Sequence, residues 1–302
     1  MSGFNFLRES QLHIHFGSNR YNVKITPNLT LTQTFAEDAY SVKTLHDQTK
    51  MFRGTNITKA NPADFSFSTH LTTEKDEQII LELLTDIVTI SGDQQLKSFD
   101  IYVVSTNGTF KLEGCVITQG EFQFAKGSHL ILNVSGQGKK LSRVGDESYS
   151  LPGNLQSASA TRTPTKPLLD VLVSNSTVSN LAAATLQIQN NIEWTPYETL
   201  QNSLNVTNAT NAMYPSDYSL TDRNVSGNIT QFHSDANASE YQTFNTSTSV
   251  QIRTKVNNSI FLNANLTDCM YTKRSEATEV FTQTYDFRLV GSPTDLGNQI
   301  TY

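Results

Sequence analysis

No run of about 18 apolar residues occurs in this chain, so it encodes no helix able to cross a bilayer. The first residues, MSGFNFLRESQLHIHF, lack the apolar core of a secretory signal, and no export signal is expected. The sequons at Asn28, Asn56, Asn205 and Asn224 then read as a by-product of a composition rich in Asn, Ser and Thr. Cysteine is scarce. Cys115 and Cys269 stand far apart and no CxxC pair exists, which excludes a zinc ribbon or a thioredoxin-type site and suggests free thiols in a reducing cytosol. Positive charge is also short, with 22 Lys and Arg against 28 Asp and Glu. A grip on nucleic-acid phosphates needs clustered Lys and Arg and is not expected.

The signatures of common catalytic sites are missing as well. There is no G-x-S-x-G, H-E-x-x-H or G-x-x-x-x-G-K-[ST]. His13 and His15 could share a strand face as an H-x-H metal pair, but no third ligand stands at a recognisable spacing. Gly136-Gln137-Gly138-Lys139-Lys140 lacks the first glycine and the closing Ser or Thr of a phosphate loop. Glu113 and Glu121 could pair, as could many other carboxylates. No enzyme, cofactor or metal site is expected.

What the chain does have is alternation. Leu12–Phe16, Asn22–Ile25, Leu29–Thr32, Phe65–Ser68, Phe110–Glu113 and Leu130–Val134 place apolar residues at every second position, the mark of half-buried strands. Asn107-Gly108 is a hairpin turn signal. Glu74–Leu84, with Ile80, Leu83 and Leu84 at helical spacing and an acidic start, predicts one amphipathic helix. The segment 141–167 is rich in Ser, Gly, Pro and Thr and reads as a linker. It separates a first domain, 1–140, from a second, 168–302, and the tail after Gly291 reads as loose.

The two halves also echo one another. Val23, Ile25, Leu29 and Leu31 align with Leu186, Ile188, Ile192 and Trp194, and Met51-Phe52 with Met213-Tyr214. Asn107-Gly108 falls on Asn257-Asn258, Leu112 on Leu262, and Leu130, Leu132 and Val134 on Tyr285, Phe287 and Leu289. The spacing changes only between aligned strands, and strand phase is kept. A one-residue slip would exchange the faces, so kept phase predicts an internal duplication. Trp194, the only tryptophan, falls in phase with Leu31 and is expected in the core.

At this point the residues resemble a family. EDAYSVKTLHDQTKMFRGTNITKANPADFSFSTHL, Glu37 to Leu71, is similar to the loop-then-strand region of tail tube proteins of phages with long non-contractile tails (siphophages). FKLEGCVITQGEFQFAKGSHLILNVSG, Phe110 to Gly136, is similar to the strand pair that follows in that family. The nearest subset is the one with two fused tube domains and trimeric, pseudo-hexameric rings. The resemblance implies a mainly β fold of two tandem β-sandwich domains, each with a long extended loop. It implies a virion protein made in the host cytoplasm and polymerised into the tube through which DNA is ejected.

On this sequence the resemblance implies particular roles. Loops over about 33–63 and 195–226 would reach the adjacent ring, through Phe35, Tyr40, Lys50, Met51, Phe52, Arg53 and Asn61 in the first and Met213, Tyr214, Asp217, Asp222 and Arg223 in the second. Alternation then nominates lumen-facing residues: Thr30, Thr32, Ser66, Ser68, Lys111 and Glu113, with Glu193, Thr230, Phe261, Asn263 and Asp286 as counterparts. Lys111 and Phe261 fit a polar lining poorly. Implied partners are further copies of the chain, a tape measure protein in the lumen before DNA, and terminator, distal tail or baseplate proteins at the ends. Phage DNA would pass without sequence-specific contact, and no membrane contact is implied. The competing readings are another tail ring on the same fold, or a β-rich receptor-binding protein.

Overall fold

A computed structural model describes residues 9–41, 53–90, 93–125, 127–194, 213–234, 247–277, 279–291 and 296–302; for 38–41 and 53–58 only the backbone is considered. The first half runs β1 (Gln11–Phe16), β2 (Asn19–Val23), β3 (Thr30–Thr32), β4 (Phe35–Ser41), β5 (Arg53–Ala60), β6 (Ala63–His70), α1 (Gln78–Thr85), β7 (Ile87–Ile90), β8 (Asp93–Leu96), β9 (Phe99–Ser105), β10 (Gly108–Ala125), β11 (Ile131–Gly138), β12 (Lys140–Gly145) and β13 (Asn154–Leu155). The second runs β14 (Leu168–Val173), β15 (Ser176–Thr177), β16 (Leu181–Trp194), β17 (Tyr218–Phe232), β18 (Thr248–Val256), β19 (Ser259–Glu276), β20 (Thr282–Leu289), α2 (Leu296–Gln299) and β21 (Ile300–Thr301). The expected mainly β fold is what the chain adopts.

Both halves pair their strands in one order. In the first it is β1–β9–β10–β11–β6–β3, and in the second β14–β18–β19–β20–β17–β16. The hairpin turns that open β10 and β19 share a two-residue form, with Asn257 and Asn258 both at positive φ, where Asn is tolerated. These pairings set Leu112, opposite Ile101, against Ala264, opposite Ile252, two residues from the Leu262 expected from sequence. An even slip keeps the face, and all three residues are buried.

Strands β10 and β19, each 18 residues long, are the hinges of this architecture. Their N-terminal halves join an outer layer, β2–β1–β9–β10–β12 in the first half and β15–β14–β18–β19–β21 in the second. Their C-terminal halves join a single inner layer. Register shifts mark where β10 crosses between layers, and Gly114 sits there at φ +58°, a conformation few side chains adopt.

The core fills the space between layers, with Phe65, Phe67, Ile101, Phe122 and Leu132 from one half and Leu186, Ile229, Ile252, Leu262 and Leu266 from the other in one buried cluster. Two glycines are required by close approach. A Cβ on Gly136 would meet the Val116 carbonyl at 2.2 Å beneath the Phe65 ring, and one on Gly227 would meet the Thr185 carbonyl at 2.1 Å beneath Phe287. An aromatic ring covers each bare backbone from the neighbouring strand.

The expected helix forms, but over 78–85 rather than 74–84. The acidic run precedes it: no acidic residue lies in its first turn. Glu77 is instead buried and accepts hydrogen bonds from the Thr72 amide and hydroxyl and from the Tyr302 hydroxyl. The segment expected as a linker is bound along the first half. Residues 140–145 extend the outer layer, and Arg162 sits 3.0 Å from Asp76 and donates to the Asn22 carbonyl. The tail is packed from residue 296 on, with Leu296 and Ile300 buried and the Tyr302 hydroxyl donating to the Thr72 carbonyl. A Ser/Thr/Pro-rich stretch reads as a linker because it buries little of itself; its hydrogen bonds to distant strands leave no local signal.

Two buried titratable side chains make this fold testable. Arg223 of β17 is 1% exposed and donates to the Thr85 carbonyl (2.6 Å), the Leu84 carbonyl (3.3 Å) and the Asn190 Oδ1 (2.6 Å). A residue of the second half thus caps the C-terminus of the first half's helix, where a cation is favoured. Burial holds its guanidinium down to about 10, still charged at neutral pH. Arg223→Met should strand those carbonyls and cost about 2–4 kcal/mol in chemical denaturation. Arg223→Lys should restore little, because one ammonium cannot span all three acceptors. His13 is buried, and burial, with Arg20 and Lys24 nearby, brings its imidazole down to about 4. The fold therefore holds it neutral while the unfolded chain takes a proton near pH 6.5, so its contribution is complete above pH 6.5 and is lost as pH falls toward 4. Denaturation at pH 7 and pH 4.5 should show His13→Asn losing less stability than the parent across that interval.

Candidate functional site

The inner layer is one continuous sheet of eight strands, β3–β6–β11–β10–β16–β17–β20–β19. The two halves fuse where the C-terminal part of β10 pairs with β16, from Gln119↔Gln189 to Ala125↔Ala183. One face of the sheet packs on the core. The rungs of the other face are read directly from the registers. One runs Thr30, Ser66, Ser135, Gln119, Gln189, Asn224; the next runs Ser68, Asn133, Glu121, Gln187, Ser226, Arg288, Met270; a third runs Gln123, Thr185, Asn228, Asp286, Thr272. Alternation of polar and apolar residues in eight adjacent strands gathers hydroxyls and carboxamides into one broad surface.

These side chains satisfy one another. Asn28 donates to the Ser68 hydroxyl at 2.7 Å, which donates to Asn133 at 2.7 Å, and Gln137 donates to Asp64 at 3.0 Å. Acidic groups on the face include Asp64, Glu121, Glu193 and Asp286. The cations Arg274 and Arg288 stand on β19 and β20, with Arg274 3.4 Å from Glu276 and 4.0 Å from Asp286. The surface is thus mostly neutral, amide-rich and slightly acidic.

Of the expected lumen residues, Thr30, Thr32, Ser66, Ser68, Glu193, Thr230 and Asp286 come together on this face. Glu113 and Asn263 do not. They lie on the N-terminal halves of β10 and β19, in the outer layers, because each strand changes layer at its bulge. Lys111 goes with them, 3.2 Å from Asp100 and 3.0 Å from Glu113. Phe261 is buried edge-to-face against Tyr302, 5.1 Å between centroids. Phase within one strand cannot reveal that the strand serves two sheets. Sequence reasoning also passed over Gln119, Gln187, Gln189, Ser135 and Asn228; their alternation with buried neighbours was the available signal.

Among the described residues the end strands of the inner layer are β3 and β19. Counted from the turns that open β10 and β19, Glu121 and Thr272 hold the same position. The rung Thr30–Ser66–Ser135–Gln119 has its counterpart in Gln187–Ser226–Arg288–Met270. Hence β3 is to the first half what β16 is to the second, and the open side of β19 matches the side of β10 that holds β16.

The first expected loop is a β-hairpin, β4–β5, leaving the sheet beyond β3 and the start of β6. Phe35 is exposed at its root, Tyr40 stands opposite Gly54, Arg53 opposite Ser41, and Asn61 donates to the Thr34 hydroxyl. Lys50, Met51 and Phe52 lie outside the described residues. The second expected loop is shorter than read, since strand resumes at Tyr218. Met213 and Tyr214 precede that strand, with the Lys140 ammonium over the Tyr214 ring, and Asp217 accepts from the Tyr218 amide. Asp222 pairs across from Asn191, and Arg223 is the buried helix cap, so neither belongs to a loop and Arg223 cannot meet a neighbouring ring. Trp194 is half-buried, packed on Tyr218 and donating to Gln137.

Among the described residues no three His, Cys, Asp or Glu side chains converge as a metal site would need. His15 faces Asp100 at 4.0 Å. Burial pushes the Cys269 thiol up to about 12 and the Cys115 thiol well above its ordinary value, so neither is a ready nucleophile.

A protein-family model described as the Bacteriophage Baseplate Tube Protein Family matches residues 2–301. A search of curated proteins finds no match.

Proposed function

The chain belongs to the bacteriophage baseplate tube protein family, and on that premise we propose that it is a ring-forming subunit whose eight-stranded layer lines the tube lumen. Membership makes it a structural component of the phage tail or baseplate tube, and so of the virion. The β10–β16 junction carries the finer reading. The chain contains one worked example of how two halves join edge to edge, and its terminal strands β3 and β19 have the same relation to each other in successive copies. Pairing β19 of one copy with β3 of the next continues the sheet, and closure removes both edges.

Three copies give a barrel of 24 strands. Spaced about 4.8 Å apart and tilted about 40°, they enclose a backbone diameter of roughly 48 Å, wide enough for a duplex and its water. The polar face then lines the channel. Neutral amides and hydroxyls with a slight acidic excess let DNA pass, because nothing there gathers phosphates and like charge opposes adsorption. The β4–β5 hairpin projects from one end of this barrel and supports stacking of ring on ring. The partners follow: other copies of the chain, a tape measure protein before DNA, DNA in transit, and neighbouring terminator, distal tail or baseplate rings. In this reading the chain performs no catalysis and touches no membrane.

A second reading, favoured by the baseplate character of the family, is a ring confined to the distal end of the tube. Negative-stain microscopy separates the two: long striated tubes support the repeated subunit, and rings that never stack support the terminal one. Ring closure has its own test. Glu121 meets Gln187 at the internal junction, so Thr272 of one copy should meet Thr30 of the next. Thr30→Cys/Thr272→Cys should give, on mild oxidation, a disulfide-linked ladder ending at three copies, and each single variant should give none. Rings that assemble without forming this bond would overturn the register, and a chain that stays monomeric at high concentration would overturn the ring.

A further inference from the structure

We propose that Lys273 sets which strands can pair with the open edge of β19: it admits the short β3 of a second copy and excludes longer strands. The inference rests on the ring reading and deepens it. Lys273 stands on the C-terminal half of β19, opposite Tyr285 of β20. Its neighbours Thr272 and Arg274 lie on the polar face, so alternation turns Lys273 to the core side. Tyr285 is buried there, and the Lys273 ammonium rests over its ring, 5.8 Å from the centroid. Lys273 itself is half-buried.

The internal junction shows what this position holds when its edge is permanently paired. Since Glu121 matches Thr272, Phe122 matches Lys273 and Phe124 matches Ser275. Phe122 stands between Leu132 of β11 and Leu186 of β16 and is fully buried. Phe124, opposite Ala184, is 4% exposed. Thus β10 carries phenylalanines on the core side of its paired edge where β19 carries a lysine and a serine. The partner strands differ at the same places. β16 runs alongside both phenylalanines as far as Ala183. β3 ends at Thr30, the residue that matches Gln187, and beyond it the Asn28 amide turns back to the Thr26 carbonyl at 2.7 Å. The β3 of a second copy therefore covers residues 270–272 and stops short of Lys273.

An edge strand offers unpaired amides and carbonyls to any strand that can lie beside it, and an inward-facing lysine keeps such an edge selective. A strand running past Thr272 would close over the ammonium and strip its water, which is strongly opposed. β3 leaves that side open, and the ammonium already rests on Tyr285, so the intended pairing meets little resistance. The excluded strands include β19 of another copy. Antiparallel pairing of β19 with itself would give a two-fold dimer in place of a ring. The opposite edge is guarded by brevity, since β3 has three residues and Pro27 shortly before them. Phe122 needs no such guard, because β16 belongs to the same chain and reaches that edge first.

The test uses the full chain. Lys273→Phe, which copies the internal junction, should self-associate at a concentration about tenfold below the parent's in sedimentation velocity. It should give dimers and larger species besides the trimer. Lys273→Glu keeps a charge at the edge and should close trimers only, as the parent does. Lys273→Met removes the charge at similar length; it should behave like Lys273→Phe and decides the matter if that variant does not fold. A merely structural role against Tyr285 predicts that all three variants lower monomer melting and none changes the products, and that result overturns the proposal. If Lys273→Phe and Lys273→Met assemble as the parent does while Thr30→Cys/Thr272→Cys still links copies, the edge role is overturned and the ring reading stands. If the cysteine pair links nothing while Lys273→Phe forms dimers, the ring reading and the β3 seat are overturned and the exclusion stands. If neither associates, both are overturned.

Discussion

The antiparallel pairing of β10 with β16 is the contact on which the rest of the molecule depends. It turns two separate four-stranded sheets into one of eight strands, and it fixes which faces and edges the chain presents. It also requires β10 to be long enough to serve two layers. The N-terminal half of that strand is held by β9 and β12, the C-terminal half by β11 and β16, and the change of layer falls at bulges around Gly114 and Thr118. Bulges sharpen local twist and re-aim a strand. Without them the polar face and the outer layer could not share a backbone.

Around this junction a few buried polar contacts cross-tie the halves. Arg223 and Asn190 of the second half meet the end of α1, and Tyr302 reaches Thr72 and Glu77 beside its start. A helix end leaves carbonyls that need donors, and a buried guanidinium can supply several from one side chain. The helix is therefore gripped at both ends by residues distant in sequence. The core runs unbroken beneath these ties, so the halves share one apolar interior as well as one sheet.

The same junction sets the end of the β10–β11 hairpin against Leu169 and Thr254 of the second half. Leu130 there is 1% exposed. Met270 on the last strand, and Thr30 and Thr32 on the first, occupy positions whose internal counterparts, Gln119, Gln187 and Gln189, stand opposite a paired strand. Two halves with one strand order, joined edge to edge, leave at the ends of the sheet the kind of edge that the middle has already paired.

Strand phase, the helix α1, the β class and the recurrence of strand order were legible from Leu12 to Leu289, because periodicity is local and survives without knowledge of partners; the short α2 was not. So was most of the polar face, through Thr30, Ser66, Ser68, Thr230 and Asp286. Glu113, Asn263 and Phe261 were misplaced because alternation assigns a residue to one side of a strand but not to one sheet, and β10 and β19 belong to two. Arg223 read as a loop residue because a lone arginine in a polar run gives no sign that helix carbonyls 138 residues away will surround it. The bound course of 141–167 was hidden for the same reason. Composition and periodicity by themselves determined that this chain would be a β protein with one apolar and one polar face to its strands. Only the tertiary structure decided which polar faces merge, which edges stay terminal and which apolar side chains are left uncovered, since those depend on contacts between residues that sequence keeps far apart.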